Sequence, residues 1–297
     1  MRSVRIVFAA LALAFLIAAV LGEWEKIQAT DWTFRADLLG LSLVGAVILF
    51  ILDAYGWHLI LKALGHNLPA SRTIQVWLVS SLARYIPGGV WSYASRVTLA
   101  KVEGVGMATA SLSLYLETLL LLASSLAVGS IALLWNAGLL MDPLLAIGIF
   151  ILLGLTLHPR VVGLLRKLPG HAGKAMLEIK LPTMRHTIGL YVYYLFFWIL
   201  FGAVFLCFAC ATHPVAYEHW LPVGASIALG FFVGFVVIFA PGGIGVREST
   251  LYLLLLPFLP EATSLVISIA SRLWIMAAEV ITLSMVLFYG RLVKRTP

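Results

Sequence analysis

Two stretches of the sequence interrupt apolar segments with proline and glycine: Tyr85-Ile86-Pro87-Gly88-Gly89-Val90-Trp91 and Phe239-Ala240-Pro241-Gly242-Gly243-Ile244-Gly245-Val246-Arg247-Glu248. Proline removes a backbone donor and glycine adds conformational freedom, so each stretch is expected to break a helix. In hydrocarbon, a broken backbone survives only where protein buries it or where it lines a cavity. The pair therefore predicts two broken helices that face a polar site inside a membrane protein.

The composition supports the membrane class, because 62% of the 297 residues are hydrophobic and only 11% are charged. Apolar stretches recur along the chain and approach the roughly 20 residues that span a bilayer. The sequence predicts an all-α, multi-pass membrane protein with about six transmembrane helices. These crossings are predicted at 4–22, 38–61, 108–135, 143–158, 188–211 and 264–289. The first is expected to be a retained anchor; its basic start leaves a cleaved signal peptide as the alternative.

The two broken segments, about 73–102 and 221–259, are each too short for two full crossings. Each therefore predicts a re-entrant helical hairpin that enters and leaves the membrane on one side. With both termini in the cytoplasm, 14 of the 20 Lys and Arg residues, Lys62 and Arg185 among them, lie on the cytoplasmic side, 2 lie outside and 4 lie within the apolar segments. That distribution follows the positive-inside rule and gives the two hairpins opposite orientations. A single membrane domain, 1–297, is predicted, with inverted repeat halves at about 1–135 and 143–297, as in secondary transporters.

Eight ionisable residues lie inside apolar segments: Asp53, Arg84, Arg96, Glu117, Arg247, Glu248, Arg272 and Glu279. On insertion scales a charge at a helix centre costs about 2.5–3.5 kcal/mol, so pairing between the four of each sign is expected. The alternative to a functional role is that these residues form ion pairs that only hold the helices together. They are favoured for Asp53 and stay open for Arg272 and Glu279, which share one face of the last helix.

Arg96 and Arg247 are distinguished by their position after the two breaks. A helix that restarts after a break presents unpaired N–H groups and the positive end of its dipole. An arginine beside such a helix start suits an anion, and its planar fork suits a phosphate in particular. Trp91, Tyr85 and Tyr93 add aromatic rings near the first break; interfacial anchoring is an equally open interpretation of them.

These motifs are similar to those of a known family. Arg84-Tyr-Ile-Pro-Gly-Gly-Val-Trp through Arg96, Glu117 and Pro241-Gly-Gly-Ile-Gly-Val-Arg247-Glu248 resemble the lysylphosphatidylglycerol synthase transmembrane-domain family, also described as flippase-like. Arg272 looks like the arginine that this family carries in its last helix. The first motif departs from the commoner Pro-Gly-Arg-Leu-Gly form, and Thr118 follows Glu117 where arginine is usual.

The resemblance implies a flippase-like transporter that moves a phosphate-bearing lipid, such as an aminoacyl-phospholipid or a polyprenyl-phosphate-linked sugar, across the cytoplasmic membrane. The chain resembles the membrane half without the synthase domain, so we expect no enzymatic activity and no cofactor. The histidines are scattered without ligand spacing, so no metal is expected either. Head-group binding is expected from Arg96, Arg247, Arg272, Gly88, Gly89, Gly242, Gly243 and Gly245. Orientation of the arginines or ion pairing is expected from Glu117, Glu248, Arg84 and Glu279.

Two other functions stay open at this point. One is an integral-membrane enzyme acting on a lipid-linked phosphate, although no His or Asp cluster suggests a catalytic centre; the other is a scaffold for a glycosyltransferase or synthase. The expected partners are the membrane, a lipid with an anionic phosphate head group, and such a synthase or glycosyltransferase. Nucleic acid is not expected, because the formal charge of +7 is spread over loops. The Gly230–Gly234 GxxxG motif predicts close helix packing, within the chain first and in a homodimer second.

Overall fold

The computed structural model describes residues 34–85, 90–136, 181–237 and 245–293, together with positions 25 and 28. Every regular element in these four ranges is helical. The α-helices in chain order are α1 Ala36–Ala63, α2 Ala70–Ser81, α3 Trp91–Val102, α4 Met107–Asn136, α5 Met184–Cys210, α6 Trp220–Val236, α7 Val246–Leu255 and α8 Glu261–Val293. A 3-10 turn, Leu82–Tyr85, follows α2, and another, Tyr217–His219, precedes α6.

Five segments of the described chain are long and apolar enough to cross a bilayer: Ala36–Ala63, Met107–Trp135, Met184–Cys210, Tyr217–Val236 and Glu261–Phe288. Four of them match the predicted crossings 38–61, 108–135, 188–211 and 264–289. The predicted crossings 4–22 and 143–158 lie outside the described residues. By length and composition, the prediction of a multi-pass helical membrane protein is confirmed.

The first broken segment folds into two short helices, α2 and α3, of 12 residues each. At 1.5 Å per residue, each is about 18 Å long, which is shorter than the hydrocarbon core of roughly 30 Å. The two helices pack against each other, and the Ser95 hydroxyl lies 3.3 Å from the Ser80 carbonyl oxygen. A helical hairpin is therefore present; its re-entrant position in a membrane stays a prediction.

The second broken segment folds into arms of unequal length, since α6 has 17 residues and α7 has 10. These two helices also pack closely against each other. The sequence predicts a segment too short for two full crossings, and α6 with its preceding turn forms a 20-residue stretch that is apolar enough to cross once. Pro222 falls in the first turn of α6, where proline does not interrupt a helix.

The chain forms two compact units, each drawn from separate parts of the sequence. The first comprises Met1–Leu49, Val128–Asp142 and Trp198–Glu279, and it contains α6 and α7. Small residues let its helices approach closely: a Cβ added at Gly129 would lie 2.6 Å from the Leu229 backbone nitrogen. Its aromatic packing includes Trp274, which stacks on Phe208 with ring centroids 4.9 Å apart.

The second unit comprises Phe50–Ala127, Pro143–Phe197 and Val280–Pro297, and it contains the α2–α3 hairpin. Its hydrophobic core includes Trp57, Leu61, Trp77 and Leu78, at most 3% of whose surface is exposed. Trp57 on α1 and Trp77 on α2 bring the indole rings of this core to the polar contacts described in the next section.

Candidate functional site

Arg96, on α3, forms a buried ion pair with Glu117 on α4. Its Nη1 donates to Glu117 Oε2 at 2.6 Å, and its Nε donates to the hydroxyl of Ser80 on α2 at 3.0 Å. Only 7% of the Arg96 side chain and 5% of the Glu117 side chain are exposed. One guanidinium therefore connects both arms of the first hairpin to the long helix that follows it.

Two indoles enclose this guanidinium. The Arg96 Cζ atom lies 4.8 Å from the ring centroid of Trp77 and 5.5 Å from that of Trp57. Trp77 Nε1 donates to Glu117 Oε1 at 2.7 Å, so both carboxylate oxygens accept hydrogen bonds. The buried charges are thus compensated by an opposite charge, charge-assisted hydrogen bonds and cation–π contacts. We call Arg96, Glu117, Trp57, Trp77 and Ser80 the first charge centre.

A second ion pair joins Glu248, on α7, to Arg272 on α8. Arg272 Nη1 donates to Glu248 Oε1 at 2.8 Å, and 28% of the arginine side chain is exposed against 3% of the glutamate. The other carboxylate oxygen accepts the Gly245 N–H at 2.7 Å. Gly245 has a φ of +82°, which glycine adopts without strain, and it lets Glu248 reach back to cap the helix.

Arg247 follows directly on this cap and lies against α6. A Cβ added at Gly234 would lie 3.0 Å from Arg247 Cβ, and one at Gly230 would lie 3.8 Å from Arg247 Cγ. The GxxxG motif therefore accommodates the aliphatic part of Arg247 within the same chain. We call Glu248, Arg272, Gly245 and Arg247 the second charge centre.

The structure brings several of the predicted residues together in ion pairs. Glu117 contacts Arg96, whereas the Glu248 carboxylate contacts Arg272 and Gly245. Glu279, also on α8, is 1% exposed. Nothing in the sequence spacing signals that second pair, because its members are 24 residues apart on different helices.

Other predicted residues fall outside the described part. Gly88, Gly89, Gly242 and Gly243 are among them, and for Arg84 only the backbone, in a 3-10 turn, is described. Of the aromatic residues noted near the first break, Trp91 is 49% exposed and Tyr93 is 36% exposed. The rings that enclose Arg96 belong instead to Trp57 and Trp77, which the sequence motif does not include.

The described residues contain no group of three His, Cys, Asp or Glu side chains placed to hold a metal ion. Chemically, both centres offer arginine N–H donors fixed by a buried carboxylate. The second is the more accessible of the two, since Arg272 keeps over a quarter of its side-chain surface exposed.

Comparison with known proteins matches nearly the whole chain to one family. The sequence model of that family, described as "Lysylphosphatidylglycerol synthase TM region", matches residues 3–281. Comparison with curated protein sequences gave no significant match. The match includes both broken segments, both charge centres and four of the five described segments that are long enough to cross a bilayer, together with the fifth as far as residue 281. The chain therefore belongs to the lysylphosphatidylglycerol synthase TM region family.

Proposed function

We propose that this protein is a flippase-like transporter that moves a phosphate-bearing lipid across the cytoplasmic membrane. Family membership supports this proposal, because the family takes its name from a synthase of lysylphosphatidylglycerol, a phosphate-bearing lipid. The five apolar segments supply the surroundings that acyl chains need during translocation. A polar head group, in contrast, needs fixed donors on its route, and the charge centres offer them.

The Glu248–Arg272 pair is the observation that carries the proposal. Glu248 is almost fully buried, while Arg272 is partly exposed. A guanidinium has five N–H donors, so a single bond to Glu248 leaves the arginine able to bind a phosphate as well. Glu248 also fixes the arginine to the start of α7, where the helix dipole favours an anion. Arg247, in the first turn of α7, adds a second cation at this position.

The first charge centre supports a different role for Arg96. Its guanidinium lies between two indoles and bonds to Ser80 and Glu117, with 7% of the side chain exposed. These contacts favour a positioning role, in which Arg96 holds the α2–α3 hairpin against α4. Direct head-group binding by Arg96 stays a prediction.

A flipping assay in proteoliposomes tests the proposal. The probes are phosphatidylglycerol and lysylphosphatidylglycerol with a fluorescent group on one acyl chain, together with a fluorescent polyprenyl phosphate. Dithionite quenches the probe molecules in the outer leaflet, so the extra quenching over protein-free vesicles measures flipping. We expect flipping of at least one phosphate-bearing lipid by the unmodified protein and a loss of about tenfold or more in Arg272→Gln, because a charge-assisted hydrogen bond contributes roughly 1.5–3 kcal/mol.

Arg35→Gln is the matched control for this assay. Arg35 forms the same type of pair, at 2.7 Å with Asp37, but both side chains are more than half exposed. Its loss is expected to leave flipping unchanged. Wild-type flipping by a folded Arg272→Gln variant would refute the role of the second charge centre. Failure of the unmodified protein to move any of the three lipids would refute the transport proposal itself and leave the scaffold function.

A further inference from the structure

A groove with a volume of about 540 Å³ opens between α1 and α5 in the second unit. It lies between the last turns of α1, at Leu59 and Lys62, and the first turns of α5, at Arg185, His186 and Gly189. None of these residues belongs to either charge centre. The groove is therefore a separate feature that the proposed transport mechanism does not use.

The rim of the groove is basic. Lys62, Arg185 and His186 are all exposed and line its edge, and no Asp or Glu is among the described residues that line it. Arg185 and His186 also lie in the first turn of α5, where the helix dipole adds positive potential. This end of the groove is thus complementary to an anion.

The floor of the groove is apolar, because the side chains of Leu59 and Leu190 lie along it and Gly189 adds no polar side chain. Further along α1, the two helices touch: the Tyr193 hydroxyl donates to the Leu52 carbonyl oxygen at 2.6 Å, and a Cβ added at Gly56 would lie 2.6 Å from the Tyr194 hydroxyl oxygen. The helices separate beyond this contact. A Cβ added at Gly189 meets nothing within 4 Å, so the wall of α5 leaves room for a ligand there.

We propose that this groove binds an anionic phospholipid, with its phosphate between Lys62 and Arg185 and an acyl chain along Leu59, Gly189 and Leu190. A free phosphate would use the basic rim but not the apolar floor, so the combination favours a lipid. The charge distribution of the sequence assigns Lys62 and Arg185 to the cytoplasmic side, and the cytoplasmic leaflet is the one rich in anionic lipids. This proposed binding site does not depend on whether the chain transports a lipid.

Lipid titration followed by native mass spectrometry tests this site. The probes are phosphatidylglycerol and phosphatidylcholine with identical acyl chains, added to the purified full-length protein in a neutral detergent. The unmodified protein is expected to bind phosphatidylglycerol more tightly than phosphatidylcholine. In Lys62→Gln/Arg185→Gln, affinity for the anionic lipid is expected to fall about 25-fold, at roughly fivefold per lost charge, while affinity for the zwitterionic lipid changes little.

Gly189→Leu tests the floor of the groove with all charges intact. The new side chain enters open space and improves helix propensity, so the variant is expected to fold with an unchanged or higher melting temperature. It is expected to weaken binding of both lipids by at least tenfold. Gly40→Leu is its matched control, because Gly40 is an exposed glycine on α1 with nothing within 4 Å of an added Cβ.

Arg72→Gln/Lys101→Gln is the matched control for charge, since both residues are exposed and lie outside the groove. The site is refuted if this control loses as much phosphatidylglycerol affinity as Lys62→Gln/Arg185→Gln. Wild-type binding by Gly189→Leu would also refute it. Competition by glycerol 1-phosphate at the same concentration as the lipid would also refute the site, because the apolar floor would then contribute nothing to binding.

Discussion

Replacing Glu117 with glutamine removes the charge that Arg96 contacts at 2.6 Å while preserving the size of the side chain. With 7% of its side chain exposed, the guanidinium would stay buried next to a neutral amide. Breaking a buried ion pair on one side costs about 3–5 kcal/mol. The Trp57 and Trp77 rings stay in place and retain roughly 0.5–2 kcal/mol of cation–π energy, so we expect a loss near the lower end of that range.

The free energy of unfolding can be measured by titrating the purified protein in mixed micelles with sodium dodecyl sulfate and following helix content. Arg96→Met, Glu117→Gln and the double variant form a cycle. The double variant is expected to be more stable than Glu117→Gln, because it no longer buries an unpaired charge. A coupling energy of roughly 2–3 kcal/mol is expected for residues in such direct contact.

Arg35→Gln serves as the reference variant here too, since an exposed pair contributes about 0–1 kcal/mol. If Glu117→Gln costs no more than Arg35→Gln, the first charge centre does not stabilise the hairpin. Zero coupling in the cycle would refute the reasoning equally, because the two side chains would then act independently.

Two further predictions concern glycines. Gly245→Ala is expected to cost about 1–3 kcal/mol in unfolding experiments, because its φ of +82° and ψ of −43° lie outside the backbone regions that alanine favours. Gly104→Ala, at a φ of +86°, is also expected to lower stability, but only Gly245→Ala should reduce flipping. Gly129→Ala is expected to cost about 1–3 kcal/mol, since its Cβ would lie 2.6 Å from the Leu229 nitrogen. Gly230→Ala, whose nearest contact is 3.6 Å, should stay close to wild type. Equal melting temperatures for Gly129→Ala and Gly230→Ala would contradict the close approach.

Much of the helical architecture is predictable from hydropathy, but helix ends are not. The crossing predicted at 188–211 is observed as Met184–Cys210, and that predicted at 264–289 begins at Glu261. Both helices begin three or four residues early because their first turns are polar. Hydropathy marks the part of a helix that lies in hydrocarbon, whereas backbone hydrogen bonding continues into the polar turn.

Residue pairing is the part of the site that the sequence predicts least well. Proximity to the break draws attention to Arg247, yet Glu248 turns back to cap its own helix and contacts Arg272. Trp77 likewise lies outside the sequence motifs, and only tertiary packing places its ring centroid 4.8 Å from the Arg96 Cζ atom. Such contacts depend on the angles and separations between helices, which hydrophobic periodicity does not encode.

The order of residues within the two ion pairs bears on how the protein assembles during synthesis. In each pair the hairpin residue is made first: Arg96 precedes Glu117 by 21 residues, and Glu248 precedes Arg272 by 24. A lone charge in hydrocarbon costs about 2.5–3.5 kcal/mol on insertion scales, so a partner of opposite charge on the next long helix lowers the cost of placing either hairpin in a membrane. We therefore expect each hairpin to become more stable in the membrane once the long helix after it has been made.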